Sequence, residues 1–516
     1  MPRRNESTDQ GRDRSMCTTC PSACTPLSVL PAAYRVIFSP VKDNMALCRL
    51  VCTEGASFCH CHPEKKDPSY SRISAYRYMI TLDLLLSRFH GCEIGHSFDT
   101  ITRLLRHFDN PQHRLPPIIH IAGTNGKGSV AAFISAVLHR AGYRVHRLTS
   151  PHLCCMTERI MLANKTVDEA VMASILWEII QWTEGKIAFS EAVTATALHL
   201  FASVPADIVV LEVGIGGLHD GTNVVSGVCI SIITPISFDH LDRLGRTLPH
   251  IAVQKSGIMR QDVPCISAPQ VSCVRDVLIK SAEEKGTPLY LGERDWFFEP
   301  KGRGVHIQYG QDLLDCDHFF PLGLAGQHQC MNAAVAVMAL KVQRALNIPR
   351  WAIGHGLAHV VWPGRLQRLV VEKGIKAFED EMWVDGAHNE GGLAVLAQHI
   401  RSAGWADGEE KPLVVVFGKL PGKNLDSVWS TLAPLAQYIC VIESWGHSTG
   451  TPWSVMQQGC IESGYDGGAV HVFATLDDFM LAVKGKKWGA EPKRFLICGS
   501  LGLVGCVLNK VQAGLV

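Results

Sequence analysis

An α/β fold, with a mostly parallel sheet followed by a second, Rossmann-like α/β domain, is predicted by three features of the sequence. Short β-branched apolar runs at Ile118–Ala122, 207–213 and 228–234 alternate with stretches of helical period. A glycine-rich turn joins the first of these runs directly to an amphipathic segment. Beyond residue 361 the alternation restarts, with strands read at 382–385, Leu413–Phe417, 438–443, Val470–Phe473 and 495–498. Alternation of this kind gives parallel sheets with helices on both faces.

Composition narrows the class further. The chain of 516 residues is 47% apolar and 19% charged, against a usual charged share of about 25%. Its formal net charge is +1 and its pI is near 7.6, which argues against a nucleic-acid binder relying on bulk charge. No apolar run approaches the roughly 18 residues of a membrane span. The expectation is a multidomain protein that binds neither nucleic acid nor membrane.

The first strand, Ile118–Ala122, leads into Gly123-Thr124-Asn125-Gly126-Lys127-Gly128-Ser129. Val130, Phe133, Ile134, Val137 and Leu138 then recur on one helical face, Gly142 offers a stop, and 143–148 resumes a strand. Strand, glycine loop, helix and strand form the unit on which phosphate sites are built. The glycines let successive N–H groups turn towards an anion, and the helix N-terminus adds partial positive charge. Lys127 can reach the outer phosphates of a nucleotide. This is either a chance glycine loop or, as the strand–helix context favours, a P-loop-type ATPase domain of variant form. Ile121 replaces the first glycine of the strict loop, and Gly128 replaces the hydroxyl that holds Mg²⁺ there. The metal ligands are therefore expected elsewhere.

Later strand ends supply candidates. Glu212 sits within the apolar run 207–213, and a buried carboxylate is costly unless paired or bound to a cation. Its place at a strand's C-terminal end suits ligand binding. Ser150, at the end of the strand after the loop, offers the missing hydroxyl. His240 is a candidate ligand or orienting group, and Lys255 a cation that neutralises phosphate. Mg²⁺ takes one or two protein oxygens together with phosphates and water, which Ser150, Glu212 and a nucleotide can satisfy.

These pieces resemble the folylpolyglutamate synthase and dihydrofolate synthase family of the Mur-ligase superfamily. The matching motifs are Gly123–Ser129, Thr149-Ser-Pro-His152, Glu158-Arg-Ile160, Leu211-Glu-Val-Gly-Ile-Gly-Gly217 and Asp239-His-Leu-Asp242. They continue with Lys255-Ser-Gly-Ile258, Gly326–Asn332, Trp362-Pro-Gly-Arg365, Asp385-Gly-Ala-His-Asn389 and Gly499–Gly505, in family order over about residues 80–510. The resemblance implies ATP-dependent amide formation between a pteroate or folate carboxylate and the amine of L-glutamate, through an acyl phosphate. It implies two Mg²⁺ sites, with Ser150, Glu212 and His240 around them and Lys255 carried as a carbamate. It also implies that Lys127, Lys255 and His240 serve catalysis, while Gly123, Thr124, Asn125, Gly126, Gly128 and Ser129 hold phosphates. Gln329 and Asn332 match residues near the adenine, and Arg365, Asp385 and His388 match ATP contacts from the second domain. Leu218 and Gly221 depart from the family's usual Gly-Gly-Arg-x-Asp-Ala-Thr-Asn, so the charge of its arginine is missing here.

Three segments follow: an N-terminal extension at 1–75, expected to be disordered; an ATP-binding domain at 76–361; and a ligase domain at 362–516, with Pro363-Gly364 as a hinge. Met79 starts the folded pattern. Within the extension, Cys17, Cys20, Cys24, Cys52, Cys59, His60, Cys61 and His62 suit zinc chemically, but their spacing matches no regular pair of knuckles. Arg3, Arg4, Arg12 and Arg14 suggest a transit peptide, whereas Glu6, Asp9 and Asp13 oppose one. Scattered cysteines suit a reducing cytoplasm. Two other readings stay open: a Mur-type ligase acting on a peptidoglycan precursor, and a nucleotide-binding module without ligase chemistry. Oligomeric state is not legible.

Overall fold

The computed structural model describes residues 37–41, 45–49, 82, 85, 89, 98–309, 318–369, 380–406, 411–421, 427–465 and 470–513. The chain divides into two compact units, Met1–Lys66 and Asp67–Val516. In the first unit, β1 (Ile37–Val41) and β2 (Met45–Arg49) pair antiparallel, with Ile37 opposite Arg49. The sequence reading expected no regular structure over 1–75. Pro40 interrupts the alternation that would have marked this hairpin. The eight candidate zinc ligands named above lie outside the described residues.

The second unit is built on two sheets. The first has β3 (Ile118–Ala122), β4 (Val145–Leu148), β5 (Ile160–Leu162), β6 (Lys165–Thr166), β7 (Ile208–Glu212), β8 (Val228–Ile233), β9 (Cys265–Ser267) and β10 (Leu289–Leu291). Its order is β10-β9-β8-β3-β7-β4-β5-β6, parallel from β10 to β4 and antiparallel at β5 and β6. Every residue of β3 and of β7 is buried, which explains their unbroken apolar runs. One face packs Ile119 and Ile121 against Phe133, Ile134 and Val137 of helix Lys127–Arg140. The other packs Val209 and Leu211 against Leu104, Leu176 and Leu198. Ile121 pairs with Glu212 and Ala122 with Ile233. Three strands therefore end level, and the chain leaving each opens onto one edge. Beside them, β11 (Trp296–Lys301), β12 (Gly304–Tyr309) and β13 (His318–Pro321) form an antiparallel sheet that the sequence reading did not assign.

The second sheet contains β14 (Gln367–Leu369), β15 (Glu381–Val384), β16 (Leu413–Phe417) and β17 (Tyr438–Ile442). After the short hairpin of β18 (Ser444–Trp445) and β19 (Ser448–Thr449), it is completed by β20 (Val470–Phe473) and β21 (Arg494–Cys498). Its order is β14-β15-β21-β16-β17-β20, parallel except at the β14 edge. Leu393, Leu396 and Ile400 cover one face, and Phe479, Leu503 and Val507 the other. Among the described residues no helix is long and apolar enough to cross a membrane.

Candidate active site

The phosphate loop leaves β3 at the level edge and closes into helix Lys127–Arg140. Gly126, the N-cap, has φ +89 and carries no side-chain cap, so the amides of the first turn remain open to an anion. A side chain there would strike the Asn332 carboxamide, which binds Gln329 Oε1 through Nδ2 at 3.0 Å. Thr124 and Asn125 give their backbone N–H groups to Pro235 O at 2.9 and 3.3 Å, and Thr124 Oγ1 donates to Ser237 O at 3.1 Å. Lys127 folds back to Thr124 O at 3.2 Å. Ser129 is buried within the helix.

Gly128 stands where a strict loop has its hydroxyl, and the structure gives the reason. A Cβ at that position would lie 3.2 Å from the Trp362 indole, which packs flush on the helix start. Arg147 lies over the same indole, its guanidinium carbon 4.8 Å from the centre of the Trp362 ring. A side chain at Gly128 would thus press on the Trp362 indole.

At the tip of β7, Glu212 is 4% exposed and accepts Ser150 N–H at 3.2 Å. Burial pushes its carboxyl up, opposed by Lys127, the Ser150 amide, Arg365 and Arg147. The space beside Gly214 brings together Asp220 Oδ2 and Ser150 Oγ, 3.2 and 3.9 Å from where a Cβ would stand. Asp220 is itself fixed: Thr222 Oγ1 donates to its Oδ1 at 2.6 Å, and His120 Nε2 lies 3.0 Å from that hydroxyl. Burial lowers His120 to about 3, with Arg260 adding to the effect, so the imidazole is neutral. Among the described residues, no three His, Cys, Asp or Glu side chains form a cage for a metal. The site fits a hard cation held by Glu212 and Ser150 and completed by phosphate and water.

Lys255, on helix Leu248–Ser256, is 4% exposed and donates to Gly123 O at 2.7 Å. Burial lowers its ammonium to about 7, with Lys127 acting in the same direction and Asp239 and Asp220 opposing. His240 adopts φ +51 before the short helix Leu241–Leu244, with Nε2 3.8 Å from Asp239 Oδ1. The structure thus brings Lys127, Glu212, Ser150 and Lys255 around the loop, while His240 stands beside Asp239.

The second sheet contributes at the ends of β14 and β15. The Arg365 guanidinium lies against Gly386, where a Cβ would have to displace it. Asp385 accepts Leu366 N–H at 2.8 Å and Ala387 N–H at 2.7 Å, holding the two segments together. His388 Nδ1 meets Gly386 O at 2.7 Å, and its Nε2 lies 3.7 Å from Asp239 Oδ2. Gln329 Nε2 lies 3.1 Å from His328 Nε2. Sequence reasoning assigned no role to Asp239, Asn389, Trp362, Arg147 or Ser237. Asp239, Trp362 and Asn389 fall within motifs it quoted; Arg147 and Ser237 carry no local signal.

Residues 121–340 match the Mur ligase middle domain. The dihydrofolate synthetase of Saccharomyces cerevisiae is 31% identical over 371 residues, which cover 68% of this chain and 82% of that protein. The chain belongs to the dihydrofolate synthase and folylpolyglutamate synthase family. Members of this family are ATP-dependent ligases, with ATP and a divalent metal ion as cofactors and small molecules as substrates. The fold agrees with folylpolyglutamate synthase of Mycobacterium tuberculosis solved with ADP and AMPPCP, at TM-score 0.69 and 28% identity, covering 80% of this chain and 95% of that one. A bifunctional folylpolyglutamate synthase/dihydrofolate synthase with Mn, AMPPNP and L-glutamate bound matches at TM-score 0.69 and 25% identity, covering 84% and 99%.

Proposed function

We propose that this family member joins L-glutamate to dihydropteroate and to folates, as a bifunctional cytoplasmic ligase. The observation that carries the reading is the convergence of the uncapped loop helix, Lys127, buried Glu212 and buried Lys255 on one sheet edge. In this reading residues 76–361 form the ATP-binding domain and 362–516 the ligase domain. Gly123, Thr124, Asn125, Gly126, Gly128 and Ser129 cradle the phosphates, and Gln329, Asn332, Arg365, Asp385 and His388 complete the nucleotide site.

The chemistry is positioning and charge neutralisation. A carboxylate oxygen of the pteroate or folate attacks the γ-phosphorus of ATP, and ADP leaves. The glutamate amine then attacks the acyl carbon, loses a proton, and inorganic phosphate departs with the bridging oxygen. Lys127 holds negative charge at the loop throughout. Ser150, Glu212 and His240 would hold Mg²⁺ at two sites, where the ion would neutralise the phosphate charge that develops. Lys255 would support a second site as a carbamate, its neutral amine adding to CO₂ with loss of a proton, and burial favours that neutral amine near pH 7.

The test uses the purified chain with ATP, Mg²⁺ and L-glutamate, comparing dihydropteroate with tetrahydrofolate. ADP release should require the amino acid and respond to both acceptors, and Lys127→Ala should abolish it. ATP turnover indifferent to every pteroate and folate offered would refute the assignment.

A further inference from the structure

Asn389 has no part in the roles assigned above, yet its amide is fully engaged. Its Oδ1 caps helix Glu390–Ser402 by accepting Gly392 N–H at 2.9 Å. Every other bond of that amide leaves the second sheet's layer. Nδ2 donates to Asn125 Oδ1 at 3.0 Å and to Asp239 Oδ2 at 3.0 Å, while Oδ1 also accepts from Asn125 Nδ2 at 3.0 Å. Asn125 donates in addition to Ser237 Oγ at 3.1 Å. A primary amide offers two protons and two acceptor positions, so Asn389 is saturated only in this arrangement. The backbone confirms that the approach is close. A Cβ on Gly391 would stand 2.7 Å from Ser237 Oγ and 3.0 Å from Asn125 Nδ2, so a side chain there would push the helix off the loop.

We propose that Asn389 is a positioning residue: through its reciprocal amide pair with Asn125 it locks the second sheet's layer onto the phosphate loop and so sets nucleotide affinity. Asn125 lies between Gly123 and Gly126, and fixing its side chain fixes the course of the loop whose amides face the anion. With the layers apart, both carboxamides turn to water and the loop loses that restraint. The part concerning nucleotide rests on the function proposed above; the docking part does not.

Asn389→Asp separates this role from capping, because aspartate caps a helix as well as asparagine does. It removes both donor protons and sets a carboxylate against Asp239. The full chain is measured by solution scattering without nucleotide, and by titration with AMPPNP and Mg²⁺. The expected result is a larger radius of gyration and a Kd raised about tenfold, with helix content unchanged by circular dichroism. Asn125→Ala should raise Kd similarly, and the double variant Asn125→Ala/Asn389→Asp should be no worse than the poorer single one. Additive effects on Kd, or a radius unchanged by Asn389→Asp, would overturn the proposal. Failure of the unaltered chain to bind AMPPNP would sink the nucleotide reading and the affinity claim with it, leaving the scattering to decide docking alone.

Discussion

Lys255 and Glu212 show how burial at single residues prepares charge chemistry. With its folded pKa near 7 and an unfolded value of 10.5, Lys255 binds fewer protons in the native state between those limits. Its contribution therefore makes stability rise with pH from about 7 to about 10.5. Thermal melts across that window should rise less steeply for Lys255→Met than for the unaltered chain. Glu212 is the acidic counterpart, a carboxyl raised by burial. Glu212→Gln should lower kcat by roughly 10²-fold or more and blunt the response to added Mg²⁺, measured by steady-state ADP release. Glu212 was legible in the sequence, because a lone charge inside an apolar run is conspicuous, whereas Lys255, between Gln254 and Ser256, stood out only through the family motif. Arg147 was not legible, although its Nε is buried without a hydrogen-bond partner. Its partner is the Trp362 ring, brought to it only by the fold.

Among the elements, the loop helix Lys127–Arg140 is held from two sides, and each support can be tested. Its C-terminal half packs on helix Arg350–Ala358 at Gly356, where a Cβ would collide with the backbone of Val137. Gly356→Val should cost about 1–3 kcal/mol, read as a fall of several degrees in melting midpoint. Its first turn carries the Trp362 indole on Gly128. Gly128→Ser would restore the hydroxyl of the strict loop, yet it should weaken AMPPNP binding, because the new side chain displaces that indole. Tighter binding in a nucleotide titration would contradict this account of the loop. The strands and this helix were readable because their periods are local. The antiparallel sheet β11–β13 was not, since Trp296, Phe298 and Ile307 face one side while its other side mixes Phe297 with polar residues, blurring the alternation. The antiparallel edges at β5, β6 and β14 were equally hidden, because strand direction is a property of pairing and leaves no mark in a single run.

At the scale of the whole molecule, function depends on two sheets presenting their strand ends to one another. Asn125 and Asn389 meet although 264 positions separate them, a pairing that no window of sequence can reveal. What the sequence did show was that both halves carry polar motifs where their strands end, at Gly123–Ser129 and at Asp385–Asn389. In the proposed reaction a nucleotide at the first motif activates a carboxyl group that an amine then captures. Dihydropteroate labelled with ¹⁸O in its carboxylate tests this most directly, with ATP, Mg²⁺ and L-glutamate present. One labelled oxygen should appear in inorganic phosphate for each amide formed, whereas amide formation with unlabelled phosphate would contradict the account.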